Sequence, residues 1–148
     1  EKLPEIKAKR SGIMLLTKES DYAIRIVRAL KDGNKIRARD ICEEEEIPEA
    51  FAYKILKKLE RANLVHVSRG TRGGCVLVKD IGELSLYDIV LAIEPEFSIT
   101  HCMRERCSRH TKESPCAVHM ELRRIQNLLE KELKSKSLKA ILAKEKEV

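Results

Sequence analysis

The sequence is poor in aromatic residues, with no tryptophan, three tyrosines and two phenylalanines among 148 residues. Its core must therefore be built mainly from leucine, isoleucine, valine and alanine. No apolar stretch approaches the roughly 20 residues that a membrane-spanning helix needs, so we expect no membrane partner. The chain also lacks a visible signal peptide, because no apolar run with a small-residue cleavage site opens it. We therefore expect a cytoplasmic protein.

Motifs of enzymes are missing as well. No glycine-rich nucleotide loop follows a strand, and neither the His-Glu pair of metalloproteases nor the nucleophile elbow of hydrolases is present. The clustered glycines Gly70, Gly73 and Gly74 instead have the spacing of a hairpin tip. The sequence thus predicts a protein that is not an enzyme.

Positive charge is concentrated in one part of the chain. The net charge is +6, and residues 49–79 hold seven lysines and arginines against two acids. An acidic run, residues 43–46, precedes this basic stretch. Such a distribution suits a face that binds DNA, and it equally suits a solvated helix surface, so charge alone does not decide.

Helical periodicity covers the first half of the chain after residues 1–13, which we expect to be a vector-derived or disordered extension. Thr17 is a suitable N-cap for a helix to about residue 31, and a short helix follows over residues 38–45. Pro48 suits the first turn of a third helix, residues 49–62, which would turn Phe51 and Ile55 inward.

Two β-like runs, residues 64–67 and 75–78, flank a glycine-rich loop that carries Arg69 and Arg72. Three helices followed by a basic hairpin is the order of a winged helix-turn-helix, here residues 14–82. The predicted fold class is therefore mainly α with a small β-hairpin wing. The third helix would enter the major groove of double-stranded DNA, and the wing would enter the adjacent minor groove.

The predicted DNA contacts divide by chemistry. Tyr53 and Lys54 are expected to contact base edges, and Ala50 a thymine methyl group. Phosphate contacts, which position a protein without reading sequence, are expected from four further residues. These are Lys18, Ser20, Lys57 and Lys58.

The C-terminal half is expected to comprise a connecting helix and loop (83–100), a cysteine loop (101–116), a long helix (117–134) and a tail (135–148). Ser85 and Asp88 form a capping box at the start of the connecting helix. The long helix carries an apolar stripe: Val118, Leu122, Ile125, Leu128, Leu129 and Leu133. That stripe could fold back on its own core, but pairing in a homodimer is favoured because DNA readers commonly match two half-sites.

Three segments, LLTKESDYAIRIVRAL, IPEAFAYKILKKLERANLVHVSRGTRGGCVLVKD and SLYDIVLAIE, resemble the Rrf2 family of bacterial transcription regulators. The resemblance covers residues 15–133, and the wing RGTRGG is its most specific part. It implies a homodimeric winged-helix protein with a long dimerisation helix. Several family members hold a [2Fe–2S] or [4Fe–4S] cluster in the loop before that helix and sense nitric oxide, iron or redox state, whereas others lack a cluster.

The five cysteines fall into two groups. Cys42 lies on the apolar side of the second helix and Cys75 begins the second wing strand, and both are expected to be packed side chains. Cys102, Cys107 and Cys116 share one polar loop with the spacing C-x4-C-x8-C, among arginines that favour the thiolate form. Three thiolates in one loop favour an iron–sulfur cluster, with a zinc site or unliganded thiols as the alternatives.

A cluster held by three thiolates needs a fourth ligand. His119 follows Cys116 by three residues and so lies on the same face of the helix. The resemblance supports this choice, since some family members use such a pair, and it also offers Asp21, because others take an acidic residue from the first helix. His101 is a weaker candidate.

These features predict a transcription regulator, a repressor, whose DNA affinity is switched by the cluster. The cluster loop joins the DNA-binding part to the dimerisation helix, so ordering or releasing it would shift the two recognition helices. The alternative is a cluster-free Rrf2-type regulator controlled by thiol oxidation, a zinc site or a partner protein.

Overall fold

The computed structural model describes residues 15–146, so the predicted extension 1–13 lies outside the described residues. Helices α1 (Lys18–Ala29), α2 (Ala38–Glu44) and α3 (Glu49–Arg61) come first, followed by strands β1 (Val65–Ser68) and β2 (Gly74–Leu77). Helices α4 (Leu86–Ile93), α5 (Ala117–Lys134) and α6 (Leu138–Leu142) complete the chain, with short 3-10 turns at His101–Met103 and Ala143–Lys146. The predicted order of three helices and a hairpin wing is confirmed.

Side-chain caps set where two of the helices begin. The Thr17 hydroxyl accepts a hydrogen bond from the Ser20 backbone N–H at 3.2 Å, as a threonine N-cap should. At the start of α4, Asp88 accepts from the Ser85 backbone N–H at 2.7 Å, and the Ser85 hydroxyl accepts from the Asp88 N–H. The capping box predicted there is therefore present.

The core is aliphatic and lies between α1, α3 and α4, with α2 and the wing against its side. Its fully buried side chains include Ile26, Leu30, Ile55, Leu59 and Ile89. A chain with so few aromatic residues thus still buries a continuous core.

Cys42 and Cys75 are both buried in this core, as predicted for packed cysteines. Burial raises the pKa of the Cys42 thiol, and it raises the pKa of Cys75 to about 11. Because the thiolate is the reactive form, these two residues are chemically inert.

The wing is a two-stranded antiparallel hairpin in which Val65 pairs with Leu77 and Ser68 with Gly74. Gly70 at its tip has φ +98°, a conformation that side chains with a Cβ rarely adopt. Gly74 faces the backbone of Ile36, where a Cβ atom would lie 2.9 Å from the carbonyl oxygen. This close approach lets Ile36 bridge to β2 at Cys75 and attaches the wing to the chain just before α2.

The segment after α5, predicted as a tail, forms helix α6 and returns to the core. Leu138 is buried, and its backbone N–H donates to the Leu84 carbonyl at 2.7 Å. Lys139 N–H donates to the Ile81 carbonyl at 3.1 Å. A helix of five residues is too short to show periodicity, which is why the sequence pattern did not indicate it.

A second departure concerns Phe51, which was expected to face inward. It is 43% exposed and meets the Tyr22 ring edge to face, with 6.0 Å between the ring centroids.

None of the helices within residues 15–146 has the length and apolarity needed to span a bilayer.

Candidate nucleic-acid interface and cysteine loop

Helix α3 and the wing border a single open groove. Tyr53 and Lys57 of α3 line one side, and Arg69 and Gly70 of the wing line the other. The Tyr53 side chain is 52% exposed at this groove, although its ring is large and apolar. The structure therefore brings together three residues predicted to contact DNA, Tyr53, Lys57 and Arg69.

Two further arginines line the same groove, Arg37 and Arg39 at the start of α2. Each pairs with an acid on its own helix, Arg37 with Asp40 at 2.9 Å and Arg39 with Glu43 at 3.2 Å. Such exposed pairs are weak and leave the guanidinium groups free to exchange partners. Sequence reasoning missed both residues, although the basic run at residues 35–39 was a signal that could have found them.

Arg72 lies exposed on the wing near Arg69. Among the ion pairs within residues 15–146, none involves either of these two arginines. Their charge is therefore available to a polyanion without the loss of an ion pair among the described residues.

Lys54 and Lys58 of α3 are already engaged. Both ammonium groups lie 2.6 Å from the carboxylate of Glu19 on α1, Lys54 from Oε1 and Lys58 from Oε2. Hydrogen bonds from Lys54 and then Lys58 lower the pKa of Glu19. Because 35 residues separate Glu19 from Lys54, this contact had no signal in the local sequence.

The start of α1 meets the predictions only in part. Lys18 is exposed, with its ammonium group 5.6 Å from the centre of the Tyr22 ring, and Ala50 is exposed at the start of α3. Ser20, predicted to contact phosphate, is fully buried, and its hydroxyl donates to Glu94 Oε1 at 2.6 Å. The burial contradicts that prediction: Ser20 joins the N-terminus of α1 to the end of α4 and has no surface to offer.

The cysteine loop carries three free thiols, all partly exposed. Cys102 lies in the 3-10 turn His101–Met103, and Cys116 is the residue before α5. Within residues 15–146, however, no three side chains of histidine, cysteine, aspartate or glutamate lie close enough together to hold a metal ion. The structure does not bring Cys102, Cys107, Cys116 and His119 together.

His119 is buried and stacks on His110, with 3.9 Å between the ring centroids. Its Nε2 lies 3.1 Å from Arg123, and since a guanidinium only donates, Nε2 accepts and the ring proton lies on Nδ1. Nδ1 is buried and has no partner within the described part of the chain. Burial, followed by the neighbouring His110 and Arg123, lowers the pKa of His119 and favours the neutral ring that metals bind.

The donor set thus fits a cluster in its chemistry, because the loop supplies three free thiols and the first turn of α5 supplies a ring nitrogen without a partner among the described residues. Ligation through Nδ1 would require the ring proton to move to Nε2 and the Arg123 contact to break. The two other candidate ligands have partners of their own. Asp21 pairs with Arg25 at 3.0 Å, and His101 lies 2.9 Å from Glu105.

Helix α5 exposes much of its apolar stripe. Val118 is 67% exposed and Leu128 is 51% exposed, and Ile125 is exposed as well, whereas Leu122, Leu129 and Leu133 are half-buried. Val118, Ile125 and Leu128 follow one another by seven and three residues, so they share one face of the helix, and an exposed apolar face is typical of an interaction site.

Gln126 of α5 holds the segment that leads into the cysteine loop. Its side-chain carbonyl accepts from the Ile99 N–H at 2.8 Å, and its amide donates to the Phe97 carbonyl at 3.2 Å and to Glu130 at 2.9 Å. Sequence reasoning missed this residue, since a single amide on a helix carries no distinctive pattern. The base of the loop is consequently tied to α5 by one buried side chain.

Comparisons with known proteins agree on the type of molecule. Residues 16–144 match the family model Rrf2, described as an iron-dependent transcriptional regulator. The chain is 36% identical over 91 residues to protein aau3 of Rhizobium meliloti (strain 1021), a match that covers 60% of this chain and 59% of that protein. A putative HTH-type transcriptional regulator of Aquifex aeolicus (strain VF5) is 23% identical over 116 residues, which is 77% of this chain and 80% of that protein.

Two solved structures share the fold. CymR (YrzC), the global cysteine regulator of B. subtilis, superimposes with a TM-score of 0.70 at 20% identity, over 86% of this chain and 95% of that one. T. potens IscR superimposes with a TM-score of 0.68 at 17% identity, over 90% and 88% of the two chains.

Proposed function

This chain belongs to the Rrf2 family of DNA-binding transcriptional regulators. We propose that it acts in the cytoplasm as a homodimeric repressor whose affinity for DNA depends on the state of its cysteine loop. The family consists of regulators, and the chain is not an enzyme. The observation that supports DNA binding by this chain is the exposed basic groove between α3 and the wing.

In the proposed complex α3 lies in the major groove of double-stranded DNA. Tyr53 and Lys54 contact base edges, Ala50 contacts a thymine methyl group, and Lys57 contacts phosphate. Arg69 and Arg72 enter the minor groove, whose negative potential attracts arginine. Lys18, Arg37 and Arg39 bind the flanking phosphates and position the subunit.

The wing arginines provide the direct test. Binding to a duplex selected from a randomised pool is measured against salt concentration for the parent and for Arg69→Ala and Arg72→Ala. Each substitution should weaken binding and reduce the slope of log K against log salt by about one per subunit. Lys136→Ala, an exposed residue between α5 and α6, should leave both unchanged. Parent-like salt curves for both wing variants would show that the wing does not touch DNA.

The homodimer is proposed from α5. Val118, Ile125 and Leu128 expose apolar surface that two antiparallel or crossed copies of the helix would bury against each other. A two-fold axis would present two α3 helices to one duplex, and such a dimer would suit a palindromic operator whose half-sites lie about one turn of DNA apart.

For the loop, we propose that Cys102, Cys107 and Cys116 hold an iron–sulfur cluster with His119 as the fourth ligand, Asp21 being the alternative. When bound, a cluster would supply one-electron redox chemistry at this position. The chain's own residues supply the coupling. Gln126 connects the base of the loop to α5. A rearrangement of the loop would therefore shift α5, the helix that we propose sets the distance between the two α3 helices of a dimer.

Metal content and colour test this assignment. Protein purified without oxygen should contain iron and absorb at about 400 nm, and serine substitution of Cys102, Cys107 or Cys116 should remove both signals. Cys42→Ala, a buried cysteine outside the loop, should retain them. His119→Ala and Asp21→Ala compared side by side identify the fourth ligand. Iron-free, colourless protein after anaerobic reconstitution would refute the cluster, and zinc in its place would assign a zinc site.

A second candidate follows from the separation of the three loop thiols, which are free, partly exposed and not gathered around a common point. In this case thiol oxidation or a partner protein controls the same regulator without a metal. Iron-free protein whose DNA affinity changes on mild oxidation and recovers with dithiothreitol would favour it.

A further inference from the structure

One carboxylate pairs with two of the four cations of the recognition helix. Helix α3 carries four cations, Lys54, Lys57, Lys58 and Arg61. Both Lys54 and Lys58 pair with Glu19 of α1 at 2.6 Å, whereas no ion pair within residues 15–146 involves Lys57 or Arg61.

The two pairs are held in place by the fold. The Glu19 side chain is only 22% exposed, against 60% for Lys54 and 32% for Lys58, so the carboxylate is the most buried group of the three. Glu19 stays ionised near neutral pH, since the two lysines lower its pKa.

Stability alone does not account for this arrangement. Helices α1 and α3 already meet through buried apolar side chains, among them Ala23, Ile26 and Ile55. Ion pairs that remain partly exposed to solvent add little to folding stability. A carboxylate directly under the DNA-reading helix has a larger consequence for DNA, because the phosphates carry the same sign and compete for the same two ammonium groups.

We propose that Glu19 is a specificity-determining residue: it holds Lys54 and Lys58 away from the phosphate backbone and so lowers the affinity of the protein for DNA of any sequence. This inference rests on the proposed DNA-binding function. Non-specific binding comes almost entirely from neutralised phosphates, whereas operator binding adds contacts to base edges. At the operator a base edge compensates Lys54 for the loss of Glu19, whereas random DNA offers no such partner. Contacts to base edges therefore make up a larger share of the total binding free energy.

The test is Glu19→Gln, which keeps the size of the side chain and removes its charge. Its binding to a random-sequence duplex should tighten by about three- to tenfold, and the salt slope should steepen by about one to two per subunit. Binding to a duplex selected by the parent protein from a randomised pool should tighten less, so the ratio of selected to random affinity falls.

Two controls separate this role from a general charge effect. Glu121→Gln makes the same charge change on α5, where Glu121 pairs with Arg124 at 2.7 Å, and it should leave both affinities unchanged. In a Lys54→Gln, Lys58→Gln background, Glu19→Gln should have no further effect, because the two lysines transmit it.

Unchanged or weaker binding of Glu19→Gln to random DNA would overturn the inference, as would an effect of full size in the double-lysine background. Thermal melting confirms that the variant is folded, and Glu19→Ala repeats the measurement if the glutamine variant is not. A parent protein without salt-dependent binding to any duplex would instead refute the proposed function, so the two failures are distinguishable.

Discussion

Helices α1 and α5 bury opposite kinds of side chain. Apart from Ser20, the side chains that α1 buries are apolar, Tyr22, Ala23, Ile26 and Val27, and its charges lie outside. Helix α5 is longer, at 18 residues, yet the two side chains that it buries are polar, His119 and Gln126, while Val118 and Leu128 are exposed. The first helix belongs to a core that one chain completes by itself, and the second presents an apolar surface that a single chain leaves open.

The difference indicates a division of labour. The part of the chain from α1 to α4 packs densely, so the residues that we propose to contact DNA are held on a rigid scaffold. The part from the cysteine loop through α5 is held by half-buried leucines and by a few polar contacts, notably those of Gln126, and a region with so little buried surface opens more readily than the core. A rigid DNA-binding part joined to a segment that rearranges easily is an arrangement that suits the switch proposed above.

The largest effect should come from truncating the core. Leu59→Ala removes a fully buried side chain of α3 and should lower the free energy of unfolding by about 2 to 5 kcal/mol, because the cavity cannot collapse completely. Chemical denaturation followed by circular dichroism measures it.

The matched change on α5 is Leu128→Ala, whose free energy of unfolding is measured at protein concentrations low enough to keep the chain monomeric. Its effect should stay within about 0.5 kcal/mol. A cost as large as that of Leu59→Ala would mean that α5 packs within its own subunit, and the comparison of the two regions would no longer hold.

The next effect concerns association. Ile125→Glu combined with Leu128→Glu puts two charges on the apolar stripe and should raise the dissociation constant of the dimer roughly 30-fold or more, equivalent to at least about 2 kcal/mol. Analytical ultracentrifugation measures the constant. Lys131→Glu, an exposed position of the same helix outside the stripe, should leave it nearly unchanged. If the double variant and Lys131→Glu had the same dissociation constant, the dimer contact would lie outside the apolar stripe.

The smallest of the three effects is local. Gln126→Leu keeps the volume of the side chain but removes its hydrogen bonds, which leaves the Ile99 N–H without its acceptor at a cost of about 1 to 3 kcal/mol. Hydrogen exchange should accelerate at Ile99 and through the cysteine loop, while the amides of α1 and α3 stay protected. Asn127→Leu at the neighbouring exposed position is the control. Uniform acceleration across the whole chain would contradict a local opening.

Sequence patterns predicted those features that depend on near neighbours. The cap at Thr17 and the capping box at Ser85 and Asp88 involve residues three apart, and the turn at Gly70 depends on one backbone angle. The two β-like runs around a glycine-rich loop were likewise enough to indicate the wing, and the lysines and arginines of residues 49–79 indicated the basic surface of α3 and the wing. The same reasoning failed for Ser20, since a serine in the first turn of a helix looks alike whether it meets a phosphate or, as here, the carboxylate of Glu94.

The amino-acid sequence by itself determined the order of helices and strands, the basic character of α3 and the wing, and the placement of three cysteines in one loop. These follow from side-chain periodicity and from chemistry carried by short segments. Only the tertiary structure decided that Glu19 lies beneath Lys54 and Lys58, that Gln126 holds the base of the loop, and that Leu138 returns to the core. Each of these contacts joins residues far apart in the chain, where packing geometry and not local preference selects the partner.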